Sequence, residues 1–207
     1  DVFDWSLNFG GTTSNPTGPS DDVTGGGNYM YIETSSPRTT GDSAILYSSD
    51  IDLSSLTDAQ LRFYSHMFGA SIGTLTVDVS DDGGATYTNI FTKSGDQGDQ
   101  WNEELISISS YTGVVSFRVT GYVSDDGANI SFWGDIAIDN FEVREAPTCP
   151  QPTSLAATNL TATSADLNWV DGGTASSFNL EYDTAGFTPG TGIIVSGVTS
   201  PYNLSGL

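Results

Sequence analysis

Apolar and polar residues alternate with a period of two along most of this chain, the signature of strands with one buried face. The pattern is clearest in Leu61 to Ser80, LRFYSHMFGASIGTLTVDVS. Leu61, Phe63, Ser65 and Met67 share one face of a first strand, and Arg62, Tyr64, His66 and Phe68 share the other. Neither face is wholly polar, which places this strand inside a sandwich rather than at its rim. In the second strand Leu75, Val77 and Val79 alternate with Thr74, Thr76 and Asp78, leaving one wet face. The β-branched and aromatic residues are dense, so a helix is excluded here.

The same reading continues in both directions. Strands are expected at Val2–Leu7, Asn28–Thr34, Ser43–Ser48, Thr86–Thr92, Glu103–Ile108, Val114–Tyr122, Ile130–Trp133 and Ile136–Val143. Between them lie two long polar stretches. Residues 10–28 are almost all Gly, Thr, Ser, Asn, Asp and Pro, a loop long enough to need a function or an anchor. SSDIDLSSLTDA reads as a crossover plugged by Ile51, Leu53 and Leu56. About ten strands without a helix signal are most economically arranged as two antiparallel sheets face to face. Pro147, Pro150 and Pro152 then mark a stiff linker, and shorter strands follow at Thr153–Ala157, Ala165–Val170, Phe178–Asp183 and Gly192–Ser196. The organisation expected is a sandwich over 1–145, a Pro-rich linker over 146–152 and a second, partial module over 153–207.

Composition narrows the function classes. The chain has 207 residues, with 5 Lys plus Arg against 26 Asp plus Glu, a formal net charge of −21. Phosphate binding needs a basic face, so a nucleic-acid partner is excluded and anionic membrane surfaces are disfavoured. No apolar run approaches the roughly 20 residues of a membrane span. Cys149 is alone and forms no internal bridge. The opening DVFDW has no signal-peptide character, and with the ending NLSGL it favours a fragment of a longer polypeptide.

Candidate chemistry is sparse. SDDGGATY, Ser80 to Tyr87, fits the Asp-box pattern S-x-D-x-G-x-T-aromatic of sialidase-like propellers. In a single copy it reads as a hairpin turn, with Asp82 bonding the backbone and the glycines at positive φ. His66 is the only histidine, without a G-x-S-x-G elbow or further zinc ligands, and reads as a packed, hydrogen-bonded residue. No catalytic residue is assigned. Trp5, Tyr29, Tyr31, Trp101 and Trp133 read mostly as core, with sugar stacking as the alternative. Among the carboxylates Asp4, Asp21, Asp22, Asp42, Asp135 and Asp139, the last sits on an otherwise apolar strand. A buried lone carboxylate needs a cation or several N–H donors. Two readings therefore stand for Asp4, Asp22 and Asp139: ligands of a structural Ca²⁺, or surface and Asx-type turn positions.

Taken together, GPSDDVTGGGNYMYIETS, AILYSS, LRFYSHMFGASIGTLTVDVS, SGDQGDQW and WGDIAIDNFEV resemble, in order, a MAM domain, the extracellular adhesion module named for meprin, the A5 antigen and receptor tyrosine phosphatase mu. The resemblance covers residues 1–145 and implies a jelly-roll-like β-sandwich, often with a structural metal where first and last strands meet. It departs from the family in three places. The Cys-x-Phe-Glu strand that opens the family is absent, Ser65 stands for an aromatic, and 1–145 has no cysteine, which is similar to bacterial members. Trp169 (LNW), Leu180 to Tyr182 (LEY) and Tyr202 to Leu207 (YNLSGL) resemble the front of a fibronectin type III sandwich of immunoglobulin-like topology, incomplete in length. The resemblance implies a non-catalytic, calcium-stabilised adhesion or target-binding module of a secreted or cell-surface multidomain bacterial protein. Its partners would be a protein or glycan of a cell surface or matrix, and further domains of the same polypeptide. The rival reading is a carbohydrate-binding accessory module of a secreted hydrolase.

Overall fold

The computed structural model describes residues 1–125, 127, 131–173 and 175–207. Among these residues there is no helix, and fifteen strands are formed: β1 (Ser6–Asn8), β2 (Tyr29–Ile32), β3 (Ser43–Tyr47), β4 (Ile51–Asp52), β5 (Ala59–Met67), β6 (Thr74–Ser80), β7 (Thr88–Ser94), β8 (Trp101–Ser107), β9 (Val114–Tyr122), β10 (Ile136–Glu145), β11 (Thr153–Thr158), β12 (Ser164–Val170), β13 (Phe178–Tyr182), β14 (Ile193–Val198) and β15 (Tyr202–Ser205). The chain divides into two compact units, Asp1–Ala146 and Pro147–Leu207.

The first unit is the all-β sandwich that the alternation demands. One sheet runs β1-β2-β10-β5-β8; the other runs β3-β9-β6-β7, with β4 also on β9. Every strand pair is antiparallel. The core between them takes Leu61, Phe63 and Met67 of β5, Leu75, Val77 and Val79 of β6, and Val115, Phe117 and Val119 of β9, all buried. These are the alternate positions read from the sequence, since a one-residue slip would turn each set to water.

β10 shows how a break in the period is used. Ile136 and Ile138 face inward, then the register against β5 shifts between Asp139 and Glu142, with Asn140 at φ 48°. The extra residue of this bulge re-phases the strand. Phe141 consequently turns inward, 5.6 Å from the rings of both Phe63 and Phe117, while Asp139 stays on the outer face.

Two expected strands and one expected crossover need correction. Val2–Leu7 is not continuous. Phe3 bridges Ala44 of one sheet, whereas Ser6 pairs with Tyr31 of the other. The chain thus crosses the sandwich edge at Asp4 and Trp5, where Trp5 is buried and its Nε1 donates to the Ala44 carbonyl at 3.1 Å. Asp4 is exposed at this crossing and belongs to no strand. Ile130 of the expected strand Ile130–Trp133 lies outside the described residues. Ser131, Phe132 and Trp133 form no strand. Thr34 Oγ1 donates to the Ser131 carbonyl at 2.6 Å and Ser131 Oγ to the Thr34 carbonyl at 2.8 Å, so side chains replace the ladder there. Finally, the crossover after Ser48 contains β4, where Ile51 pairs with Val115.

The second unit, described by itself, has a three-stranded sheet, β11-β12-β15, and a two-stranded one, β13-β14. Trp169 is buried edge-on to Phe178 at 5.4 Å. Beside it lies a groove of about 320 Å³ lined by Leu155, Trp169, Phe178, Leu180 and Val198. Leu155 is exposed.

Candidate functional site

The 10–28 loop folds over the outer face of the β1-β2-β10-β5-β8 sheet, and its anchoring is the first question any site must answer. Its acidic pair does local work. Asp21 accepts the Asp22 and Gly26 amides at 2.9 Å each. Asp22 accepts the Gly27 amide at 2.7 Å on one oxygen and the Thr24 hydroxyl and amide at 2.6 and 3.2 Å on the other. The Thr24 hydroxyl, then the Gly27 amide, hold the Asp22 carboxyl below the usual carboxylate range. The run of three glycines follows from this: Gly25 and Gly26 have positive φ, and a Cβ on Gly27 would lie 2.6 Å from the Asp22 carboxylate.

The tie to the sheet is made by hydrogen bonds. Asp139 Oδ2 accepts the Val23 amide at 3.0 Å, and its Oδ1 accepts the Asn140 amide at 2.7 Å. Trp101 Nε1 donates to the Asp21 carbonyl at 3.0 Å, the Tyr29 hydroxyl to the Gly10 carbonyl at 2.7 Å, and Thr17 Oγ1 to the Phe68 carbonyl at 2.9 Å. Of the three predicted ligands, Asp22 and Asp139 come to either side of Val23. Asp4 does not join them: among the described residues no group of three or more His, Cys, Asp or Glu could hold a metal. Asp22 accepts three hydrogen bonds and Asp139 two, so a cation here would compete with amide and hydroxyl donors and would find no third such side chain beside them among the described residues.

His66 is packed and hydrogen-bonded. It is 2 % exposed, 5.3 Å edge-on to Trp101, with Nε2 3.2 Å from Asp99 Oδ1. Burial lowers its pKa, and the Asp99 charge opposes that. Ser65 faces the sandwich interior, where its hydroxyl donates to Glu104 at 2.6 Å and Glu104 also pairs with Lys93. A small residue at 65 leaves room for this interior ion pair. Sequence reading counted Asp135 among the candidate carboxylates but gave it no role. It is fully buried, Oδ1 accepts the Thr34 amide at 3.1 Å, and Oδ2 has no partner. Burial first, then the charge of Glu33, pushes its pKa up to about 7.

The outer faces differ. On the loop-covered sheet, Arg62 stacks on Tyr64 and pairs with Glu103 and Glu142 at 2.6 and 3.0 Å. On the other, Tyr47, Arg118, Asp78 and Asn89 stand in one cross-strand row. Trp5 and Tyr29, candidates for stacking, are core; the exposed rings of this face are Tyr47 and Tyr122. Their signal was available: Tyr47 follows the inward Leu46 on a strand whose outward positions are wet. All five Lys and Arg are engaged, Arg38 by Phe3 and the Ser35 carbonyl, Lys93 by Glu104, and Arg144 by Gln60.

Residues 1–150 match the family described as MAM domain, meprin/A5/mu. The chain belongs to the MAM family. Human MAM domain-containing glycosylphosphatidylinositol anchor protein 2 is 34 % identical over 165 residues, covering 73 % of this chain and 17 % of that protein. Zebrafish (Danio rerio) neuropilin-1a is 31 % identical over 144 residues, covering 68 % of this chain and 15 % of its own length. The chain thus spans about a sixth of these relatives. Among solved structures, TmCBM61 in complex with β-1,4-galactotriose superposes with a TM-score of 0.40 at 15 % identity, over 70 % of this chain and 91 % of that one. A family 29 carbohydrate-binding module gives 0.35 at 12 %, over 68 % and 91 %. Likenesses this distant say nothing about the ligand of this MAM domain. What the MAM unit offers chemically is two pre-ordered polar sheet faces and a carboxylate-stapled loop.

Proposed function

We propose that this chain is a non-catalytic extracellular recognition module that mediates adhesion or target binding for a larger polypeptide. The observation that carries this is membership of the MAM family across a unit that is compact by itself. The names of the first relatives, which refer to a glycosylphosphatidylinositol anchor, support an extracellular setting at the cell surface. The engaged basic residues point away from anionic partners and toward protein or neutral glycan targets. Residues 147–207, which resemble the front of a fibronectin type III module, then serve as a connector to further domains.

The test is to couple the full chain to beads and measure their clustering and their saturable retention on cultured cells. Retention or clustering is expected. Its absence overturns the reading, as does hydrolysis of peptide, ester or glycoside substrates that disappears in His66→Ala.

Calcium is assayed separately on the same chain. Because amide and hydroxyl donors already engage Asp22 and Asp139 and no third carboxylate joins them among the described residues, melting curves in millimolar calcium and in chelator should coincide. Asp139→Ala should release the Val23 amide to fast hydrogen exchange and cost about 1–3 kcal/mol, the range for orphaning a hydrogen-bond partner. A chelator-induced drop in Tm that Asp139→Ala abolishes would instead place an ion there.

A further inference from the structure

We propose that the outer face of the β3-β9-β6-β7 sheet is a platform for a neutral polysaccharide chain, with Tyr47 as its stacking ring and Arg118 as its central donor. This deepens the recognition reading above and rests on it.

The face is built in advance of any ligand. Arg118 Nε and Nη2 donate to Asp78 Oδ2 at 3.1 and 3.0 Å. Asp78 Oδ1 accepts Asn89 Nδ2 at 2.9 Å, and Asn89 Oδ1 accepts the Thr92 hydroxyl at 3.0 Å. The guanidinium lies 4.6 Å from the centre of the Tyr87 ring, and that ring lies 6.1 Å from Tyr47. Tyr87 is itself held by the tight turn before it. Asp82 accepts the Thr86 amide and hydroxyl at 2.9 and 2.7 Å, and Ser80 Oγ accepts the Gly84 amide at 2.9 Å. The Asp-box-like stretch therefore acts as a bracket that holds an aromatic ring against the sheet face.

What this network leaves unused points outward. Among the described residues Arg118 Nη1 has no hydrogen-bond partner, nor do the hydroxyls of Tyr47, Tyr87 and Tyr122. Tyr47 is 57 % and Tyr122 40 % exposed. Tyr122 lies four residues beyond Arg118 on β9, about 13 Å along the strand. Two exposed rings spaced along the face, the first directly across from a fork-shaped donor, suit an extended ligand with apolar ring faces and hydroxyl edges. Rigid tyrosines and a pre-paired arginine lose little entropy on binding.

Charge selects the class. Arg118 and Asp78 are the only charged side chains at outward positions of β3, β6 and β9, and they neutralise each other. The remaining outward positions of β3 and β6 are Ser43, Ile45, Thr74, Thr76 and Ser80 besides Tyr47. In a chain of net charge −21, an anionic polymer is repelled, and a basic partner finds the one outward carboxylate of β3, β6 and β9 already paired with Arg118. A neutral polyhydroxylated chain meets neither cost. Arg62, Tyr64, Glu103 and Glu142 on the opposite sheet provide the control, since their arginine is saturated by two carboxylates.

The experiment is affinity electrophoresis of the full chain through gels containing soluble xylan, galactan or glucomannan. At least one should retard it. Tyr47→Ala should weaken that retardation tenfold or more without lowering Tm, and Tyr64→Ala should leave it unchanged. No retardation by any of the three polymers overturns the proposal, as does retardation that survives Tyr47→Ala. The bead assay separates the two readings. If wild type and Tyr47→Ala bind cells equally while no polymer retards the chain, the platform is wrong and the recognition reading stands. If the wild type binds neither polymers nor cells, both fall.

Discussion

Asp135→Asn should stabilise the MAM unit at pH 8, by about 2–4 kcal/mol, and have little effect at pH 4. The expectation follows from the position of this carboxyl. It is fully buried with one oxygen unpartnered, and Glu33 lies close enough to repel a second negative charge. Its ordinary value of 3.8 is raised to about 7 in the fold. Below pH 3.8 the folded and unfolded chains both carry the proton, and the contribution to stability is fully present. As pH rises between 3.8 and 7 the unfolded chain releases the proton while the fold retains it, so stability is lost. Above 7 the loss is complete, and at 1.36 kcal/mol per pKa unit it amounts to about 4 kcal/mol at most. Asn keeps the acceptor for the Thr34 amide and carries no charge, which removes this dependence.

His66 acts in the opposite sense over part of the same range. Its depressed pKa costs stability as pH falls through the ordinary histidine value of 6.5. The difference between Asp135→Asn and wild type cancels this term, because both carry His66. Melting curves at pH 4, 6 and 8 should therefore converge at the acid end and separate toward the alkaline end, with the variant higher by several degrees. A variant that melts lower than wild type at pH 8 would show that Asp135 is held ionised by contacts stronger than those present here.

Gly73→Ala should be among the most damaging single substitutions in the chain, costing at least about 3 kcal/mol. A Cβ at this position would lie 1.9 Å from the Tyr122 carbonyl oxygen and 2.9 Å from its carbon. No side-chain rotation relieves a clash with backbone. Gly73 immediately precedes β6, and Thr74 pairs with Tyr122. The added methyl must therefore push β6 away from β9, the central pairing of the β3-β9-β6-β7 sheet. Steric conflict of this kind belongs to the short list of causes of large destabilisation. Gly11→Ala is the matched control, because its nearest contact would be at 3.8 Å. Thermal melts should show a drop of ten degrees or so for Gly73→Ala and almost none for Gly11→Ala. Similar melting of the two variants would mean that β6 and β9 yield far more easily than a paired sheet should.

Much of the architecture was legible in the alternation itself. Leu61, Phe63 and Met67, then Leu75, Val77 and Val79, then Val115, Phe117 and Val119 could bury only one face each, because successive strand residues point to opposite sides. The hairpin at Ser80 to Tyr87 was equally local, since an aspartate and two glycines specify their own turn. These features depend on residues near one another in sequence, and local chemistry decides them.

Other features required distant segments to meet. Nothing near Asp135 in sequence announces that Thr34 and Glu33, a hundred positions away, will surround it. The edge crossing at Asp4 and Trp5 depends on two different sheets claiming Phe3 and Ser6. The 10–28 loop was expected to need a function or an anchor. That the anchor to the last strand is an amide of Val23 on Asp139, and that Asp4 takes no part, follows only from where the loop lies on the sheet. The row from Tyr47 to Asn89 draws one residue from each of four strands, so its order is a property of strand pairing. Period two assigns a residue to a face, but only the tertiary structure chooses its neighbours on that face, because register between distant strands is set by the packed core as a whole.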